Sequence, residues 1–440
     1  MKTRTSYACG TCGASSPRWV GRCQSCGEWN AVSEQYDHER IAAPTSLLAT
    51  TIDEGLVVAS GLAELDRVLG GGFVAGSTTL LFGEPGVGKS TLALQAMRSL
   101  AARAASVVLV AAEESAAQVA RRARRLGPVP ADLAVVATGD VSSAEQVIAR
   151  FRPTLVVVDS VSALRDDRVT AASGSTTQVR AAAERLCAAA KAADTALILI
   201  GHVTKDGELA GPRALEHLVD TVLRIEGDRH GTLRIVRALK HRFGPTGEVG
   251  LFEMANDGLR ELPDGSLSPP GAALEVPGVV WSVTNDGSRS LSVELQALVA
   301  SGAGTPRRVA HQVSSQRLAL LLAVLEARCH LDLGSLDVFA TTAGGLPAVE
   351  PGVDAALALA VASAAEGFVV ARGVAVIGEV GLAGELRPVV GLDRRLGELR
   401  RRGVERVLVP AEMAPSSPGV ELVACRSLLD VLEVARPVTP

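Results

Sequence analysis

Two short stretches of this sequence combine residue types and spacings that do chemistry. The first is Gly83-Glu84-Pro85-Gly86-Val87-Gly88-Lys89-Ser90-Thr91, which fits the pattern G-x-x-x-x-G-K-[ST]. Glycines let backbone N–H groups turn inward around a polyphosphate. The lysine reaches the terminal phosphates, and Ser90 offers a hydroxyl to Mg²⁺. The second stretch is Cys9-Gly10-Thr11-Cys12, followed after ten residues by Cys23-Gln24-Ser25-Cys26. Each C-x-x-C pair lets two thiolates grip one ion. Four soft ligands with no open coordination position point to structural Zn²⁺, with a redox dithiol pair or an iron centre as alternatives.

Carboxylates add to the first stretch. Asp159 closes the apolar run Leu155-Val156-Val157-Val158, and an acid at the C-terminal end of a buried parallel strand suits Mg²⁺ held through water. Glu113 ends another such run and is a candidate base for activating water. Glu114 could hold that role instead, and spacing does not choose between them.

These groups need a scaffold. Thr78–Phe82 predicts a strand entering the glycine loop, and a helix runs from Leu92 to about Arg103 beyond it. Ser106–Ala112, Leu133–Ala137, Leu155–Asp159 and Thr195–Ile200 predict further strands, with a helix at Val141–Phe151. Strands alternating with helices imply an α/β fold built on a parallel sheet. Leu62, Leu65 and Leu69 suggest a short helix stopped by Gly70-Gly71-Gly72.

The 440 residues suggest two or three domains, and 47% hydrophobic with 21% charged residues is an ordinary globular composition. No apolar stretch approaches a membrane span, and the N-terminus lacks a signal-peptide core, which points to the cytoplasm. At a net charge of −4, nucleic-acid binding would need a local basic surface. Only five of the 44 basic residues are lysines, leaving 39 arginines, so Lys89, Lys205 and Lys240 stand out. Around the cysteines, Arg18, Trp19, Arg22 and Trp29 suit either single-stranded nucleic acid or the packing of a small ribbon.

Several stretches together resemble one family. Ser60-Gly61, Leu65-Asp66 and Gly70-Gly71-Gly72 leading into the phosphate loop are similar to the RecA/DnaB-like ATPases. The four-cysteine ribbon ends Cys26-Gly27-Glu28-Trp29-Asn30. Gly201-His202-Val203-Thr204-Lys205-Asp206-Gly207 leads to Ala210-Gly211-Pro212-Arg213, and Lys240-His241-Arg242-Phe243-Gly244 follows. In this order they resemble the bacterial RadA (Sms) family of DNA recombination and repair proteins. The resemblance implies a RecA-like P-loop ATPase core (59–265) with an N-terminal Cys₄ zinc ribbon (1–30), joined by a linker (31–58). It further implies a hexameric ring that uses ATP, Mg²⁺ and Zn²⁺, acts on single-stranded and branched DNA, and extends strand exchange begun by RecA. The family usually reads Lys-Asn-Arg-Phe-Gly; here His241 replaces the Asn. Lys240 and Arg242 alternate to one face of an extended segment, so both could reach a neighbour's nucleotide or a DNA backbone. Lys205, Arg213 and Lys240 are the candidates for coupling nucleotide state to DNA.

A Pro/Gly-rich junction, 262–271, closes the ATPase domain. Beyond it, Leu291–Val299 and Val369–Val376 read as strands, and Arg317–Cys329, Asp354–Ala364 and Gly391–Arg402 as helices. Gly378-Glu379-Val380-Gly381-Leu382-Ala383-Gly384-Glu385 followed by Val404–Pro410 resembles the protease domain of Lon, giving a C-terminal α+β domain over 272–440. Lon uses a Ser–Lys dyad. The serine position falls on Gly352 and the lysine position on Asp393, so the dyad is absent and no peptidase activity is expected. Arg394, Arg395, Arg400, Arg401 and Arg402 could meet phosphate or form a solvated face. The preferred function is a DNA-dependent ATPase of helicase type that promotes branch migration. An ATP-regulated scaffold or clock-type kinase, and an ATP-dependent protease, are the alternatives.

Overall fold

The computed structural model describes residues 6–35, 57–201, 215–227, 231–262, 276–302, 304–371, 373–413 and 419–436. The chain divides into two compact units, Met1–Glu54 and Gly55–Pro440.

In the first unit, β1 (Ser6–Cys9) pairs antiparallel with β2 (Ser15–Ser16) and β3 (Val32–Gln35). β3 lies past residue 30, in the stretch read as linker, because Val32 pairs with Cys9 and is buried with it. Cys9, Cys23 and Val32 make up the buried core. So few apolar side chains do not stabilise a fold alone, and a bound metal ordinarily supplies the rest.

In the second unit, β4 (Val57–Val58) pairs with β5 (Phe73–Val74) on either side of α1 (Ala63–Val68). The alternating pattern then appears as β6 (Thr78–Gly83), α2 (Lys89–Ala101), β7 (Val107–Ala111), α3 (Ala116–Arg125) and β8 (Leu133–Ala137). It continues with α4 (Val141–Phe151), β9 (Leu155–Asp159), α5 (Thr176–Ala192) and β10 (Ala196–Ile200). Next come β11 (Thr221–Glu226), β12 (Leu233–His241), β13 (Val249–Ala255) and β14 (Gly258–Glu261). Among the described residues the sheet has nine strands in the order β14-β13-β12-β11-β6-β10-β9-β7-β8. β6 through β11 are parallel, and β12 to β14 add an antiparallel edge. The central strands are apolar throughout because both faces are covered. Leu81, Leu109, Val157 and Ile198 pack toward α2, while Leu80, Val108, Val156 and Leu199 pack toward α4 and α5.

α2 begins at Lys89, three residues before the expected Leu92. Gly88 supplies the reason: its φ of +114° ends the loop in a conformation that L side chains avoid. A Cβ there would also lie 2.9 Å from Met254 Cε. Lys89 and Ser90 therefore belong to the first helical turn.

The C-terminal elements are β15 (Val279–Asp286), β16 (Arg289–Ser301), β17 (Arg308–Ala310), α6 (Ser315–Cys329), β18 (Leu336–Thr342) and α7 (Asp354–Glu366). They continue as β19 (Val374–Val376), β20 (Glu379–Val380), β21 (Leu386–Arg387), α8 (Leu392–Arg401), β22 (Arg406–Pro410), β23 (Glu421–Cys425) and α9 (Leu428–Ala435). The second sheet runs β17-β18-β16-β15-β19-β22-β23. The run expected as a strand over Val369–Val376 is one only at Val374–Val376, because Gly373 turns the chain with φ +72°.

The tip of the β15–β16 hairpin is seated against α1 and the β12–β13 turn. Ser288 donates its backbone N–H to Gly247 O at 2.8 Å, and Arg289 pairs with Glu64 at 2.5 Å, both side chains being buried. Leu233, Ile235, Val249 and Leu251 of the first sheet share one buried cluster with Val293, Leu295 and Leu321.

Candidate nucleotide site

The phosphate loop joins the C-terminal end of β6 to the N-terminus of α2. No side chain caps that helix end, so its first N–H groups and the helix dipole face the loop's concavity, a setting suited to anionic phosphate. Lys89 is 4% exposed and donates to Gly83 O at 2.8 Å and Glu84 O at 2.9 Å. Burial holds its ammonium below the usual lysine range, opposed by the negative charges of Asp159 and Glu113. Those three groups therefore share one electrostatic neighbourhood. Arg234, from β12, steadies the loop by donating Nε–H to Val87 O at 3.1 Å. Sequence reasoning missed it, since nothing in its local pattern points across the sheet.

Parallel pairing aligns Ala111 with Asp159, which brings the acids following β7 beside the end of β9. Glu113 accepts a hydrogen bond from Ser160 Oγ. Glu114 instead pairs with Arg122 Nη1 at 2.9 Å, and Arg122 Nη2 lies 3.3 Å from Asp159 Oδ2. The two glutamates thus differ in partners, a distinction that spacing alone does not make. The donor set fits Mg²⁺·nucleotide: hard oxygens from Ser90 and Asp159 suit Mg²⁺, and Lys89 with loop N–H groups suits phosphate.

The Lys240–Gly244 segment lies elsewhere. His241 pairs with Thr221, which pairs with Thr79, whereas Gly83 pairs with Ile225. The segment is therefore at the other end of the sheet from its own phosphate loop, about 13 Å or more along the strands. Lys240 Nζ donates to Glu216 O and Val219 O, each at 2.7 Å, and Arg242 pairs with Asp220 at 3.3 Å while remaining 60% exposed. His241 Nδ1 lies 3.1 Å from Thr221 Oγ1, and Nε2 is 3.3 Å from where a Cβ on Gly70 would stand. The imidazole is thus accommodated by small neighbours. Lys205, Arg213 and His202 lie outside the described residues.

The sulfurs of Cys9, Cys12, Cys23 and Cys26 all lie within 4.8 Å of one another. Cys9–Cys26 and Cys12–Cys23 are each 3.6 Å apart, close to the edge of about 3.8 Å of a tetrahedron with zinc–sulfur bonds. Backbone N–H groups of Cys26 and Ser25 pull Cys23 down to about 6, and those of Cys12 and Thr11 lower Cys9. Cys26, although favoured as thiolate by the Glu28 amide, is pushed up to about 12, chiefly by Cys12. A divalent ion relieves that crowding of thiolates, so the donor set fits Zn²⁺. Cys9→Ser is expected to lower bound zinc from about one ion per chain to well below half, measured by elemental analysis after dialysis. Unchanged content would remove Cys9 from the site. Trp19 and Trp29 are 58% and 68% exposed, with Arg22 stacked 5.5 Å from the Trp29 ring, so neither indole is core packing.

Residues 42–208 match the AAA domain family, residues 7–34 a rubredoxin metal-binding domain, and residues 336–424 the Lon protease (S16) C-terminal proteolytic domain. The chain is 43% identical to the DNA repair protein RadA of Mycolicibacterium smegmatis over 99% of its length and 97% of that protein's. It is 41% identical to that of Brucella abortus over 93% and 92%, and 37% identical to that of Bacillus subtilis over 99% of both. The chain belongs to the RadA family of DNA repair proteins. As in that family, an ATPase domain stands between a zinc ribbon and a Lon-type C-terminal domain, and the expected α/β class is what the sheets show.

The basic face expected on α8 of the Lon-type domain is kept only in part. Gly352 is buried just before α7, and Asp393 is exposed in the first turn of α8. Arg395, read as a surface cation, is 0% exposed. It makes a two-pronged pair with Glu350, at 2.6 and 2.7 Å, and donates to Val283 O at 2.6 Å. Arg401 and Arg402 pair with buried Glu398 at 2.8 and 3.0 Å. Arg395 and Arg402 are thus drawn inside, while Arg394, Arg400 and Arg401 stay exposed. A Cβ on Gly352 would lie 2.8 Å from Arg395 Nη1, so the guanidinium crowds the place of a nucleophile's side chain.

Proposed function

We propose that this chain is a DNA-stimulated ATP hydrolase of helicase type, which moves along single-stranded DNA as a hexameric ring. In this reading it promotes branch migration of intermediates made by RecA, alongside the chromosome in the cytoplasm. Lys89 and the loop N–H groups would bind the terminal phosphates, and Ser90 with Asp159 would hold Mg²⁺. Mg²⁺ held there would supply positive charge against the phosphates. Glu113 accepts the proton of the attacking water. Arg242 acts on a neighbouring subunit's nucleotide or on DNA from the segment that Lys240 anchors, and Lys205 and Arg213 add DNA contacts.

The observation that carries this reading is the separation of the two motifs. Glu113, Asp159 and Lys89 gather at one end of the sheet, and the Lys240–Gly244 segment stands at the other. A site divided this way is completed by a second copy of the chain, the arrangement a ring motor requires and a stand-alone kinase does not. The C-terminal domain is a platform for assembly or DNA, without peptidase activity.

The test is ATP turnover with single-stranded, branched and duplex DNA at stated salt concentrations. Single-stranded DNA should raise the rate several-fold, with the stimulation falling as salt rises because phosphate contacts release counterions. A rate unaffected by DNA overturns the reading and favours an ATP-regulated scaffold.

A further inference from the structure

The helix that follows the candidate base carries a cation aimed back at the acids. α3 starts at a capping box, Ser115 with Gln118, so its phase is set immediately after Glu113-Glu114. Val119, Ala123 and Leu126 are buried on one face, and Arg122 shares that face at the i+3 spacing. The guanidinium therefore enters the site from beneath rather than from solvent. Its side chain is 20% exposed, and Nε is buried without an acceptor among the described residues.

The electrostatic problem at this point is an excess of like charge. Glu113, Glu114 and Asp159 meet at the ends of two adjacent strands, where a bound triphosphate adds more negative charge. Like charges in a partly enclosed site repel strongly. Arg122 answers two of the three, reaching Glu114 with Nη1 and Asp159 with Nη2. A planar fork spans two carboxylates as a single ammonium does not.

We propose that Arg122 is a positioning residue of the nucleotide site, which draws Glu114 away from the reacting water and fixes the Asp159 carboxylate. This assigns the base role to Glu113 rather than Glu114 and rests on the ATPase reading above. Arg122 touches neither substrate nor reacting atoms in this role; it acts through the two acids. Losing it lets Glu114 turn its charge toward Asp159 and Glu113, which misplaces both.

The experiment is a four-protein comparison in the full-length chain: wild type, R122M, E114Q and the double variant, each assayed for basal ATP turnover and KM. R122M should lose about 10²-fold in kcat, the scale of an ångström-level misplacement, with KM for ATP within about twofold of wild type. The sharper readout is the cycle. Once Glu114 is uncharged, loss of Arg122 should cost at least about tenfold less. A merely structural arginine would cost the same in either background. R122K, which keeps the stem and the charge, should fold and fall between R122M and wild type, and it carries the comparison if R122M does not fold.

An R122M rate within twofold of wild type overturns the proposal. So does a loss confined to KM, or an equal cost in both Glu114 backgrounds. Turnover that ignores DNA in all four proteins sinks the DNA-motor reading alone, since this comparison uses the basal rate.

Discussion

Lys89→Ala is expected to reduce ATP turnover about 10³-fold or more, the scale on which a single charge-stabilising group contributes to phosphoryl transfer. The lysine is committed to the loop before any nucleotide arrives. Its ammonium is held between the carbonyls of Gly83 and Glu84, at 2.8 and 2.9 Å. Burial disfavours its charge there, and a triphosphate supplies the counter-charge that reverses this. The ordinary side-chain cost of ordering a lysine is thus met in the folded protein, and binding energy goes to phosphate. Lys89→Arg should fail nearly as badly. Its planar fork is larger than an ammonium and does not fit a slot only two carbonyls wide. The measurement is phosphate release, with a fluorescent nucleotide analogue to follow binding and thermal unfolding to follow the fold. Turnover within about tenfold of wild type in a folded Lys89→Ala protein would remove the lysine from the mechanism.

What could be read from the sequence was what local spacing determines. Strand, glycine loop and helix occupy consecutive residues, so the loop's chemistry follows from its order alone. The same holds for the two C-x-x-C pairs and for Asp159 at the end of β9. Helix α4 and strands β8 and β9 fall at the expected residues because their apolar periods are unbroken. The start of α2 was displaced because the conformation of Gly88, not hydrophobic pattern, decides it.

Long-range pairing was not legible. Arg122, Arg234 and Arg395 each act on a group far away in sequence: Asp159, Val87 and Glu350. Among 39 arginines none carries a local signal. Helical phase could have marked Arg122, since it recurs with Val119, Ala123 and Leu126, but an amphipathic helix with a basic turn is ordinarily read as a solvated face. Lys240 illustrates the converse. Its rarity drew notice, and its ammonium is spent on the carbonyls of Glu216 and Val219, so its first effect is to fix the chain leading into β11. Its neighbour Arg242, largely exposed, is the side chain of that segment with reach toward a second molecule.

Arg395→Met should destabilise the C-terminal domain by about 3–5 kcal/mol, the usual cost of stranding one member of a buried ion pair. Glu350 would keep its charge with only the Asn285 N–H, at 2.7 Å, as a described partner, and Val283 O would lose a donor. Thermal and urea unfolding measure the loss. Removing both charges, as Glu350→Gln with Arg395→Met, should recover most of it, because glutamine still accepts from Asn285 and no unpaired charge remains. A single variant within about 1 kcal/mol of wild type would show that the pair contributes little. The same geometry bears on peptidase chemistry. Placing a serine at Gly352 and a lysine at Asp393 should not create a peptidase, since the serine Cβ would meet Arg395 Nη1 at 2.8 Å. Asp393 is exposed in the first turn of α8, whereas Gly352 is buried. The Arg395–Glu350 pair fills the space beside position 352, so a nucleophile there would require its removal and, with it, loss of the stability it confers. A nucleophile's side chain at position 352 and the Arg395 guanidinium thus compete for one small volume, and in this chain the arginine fills it.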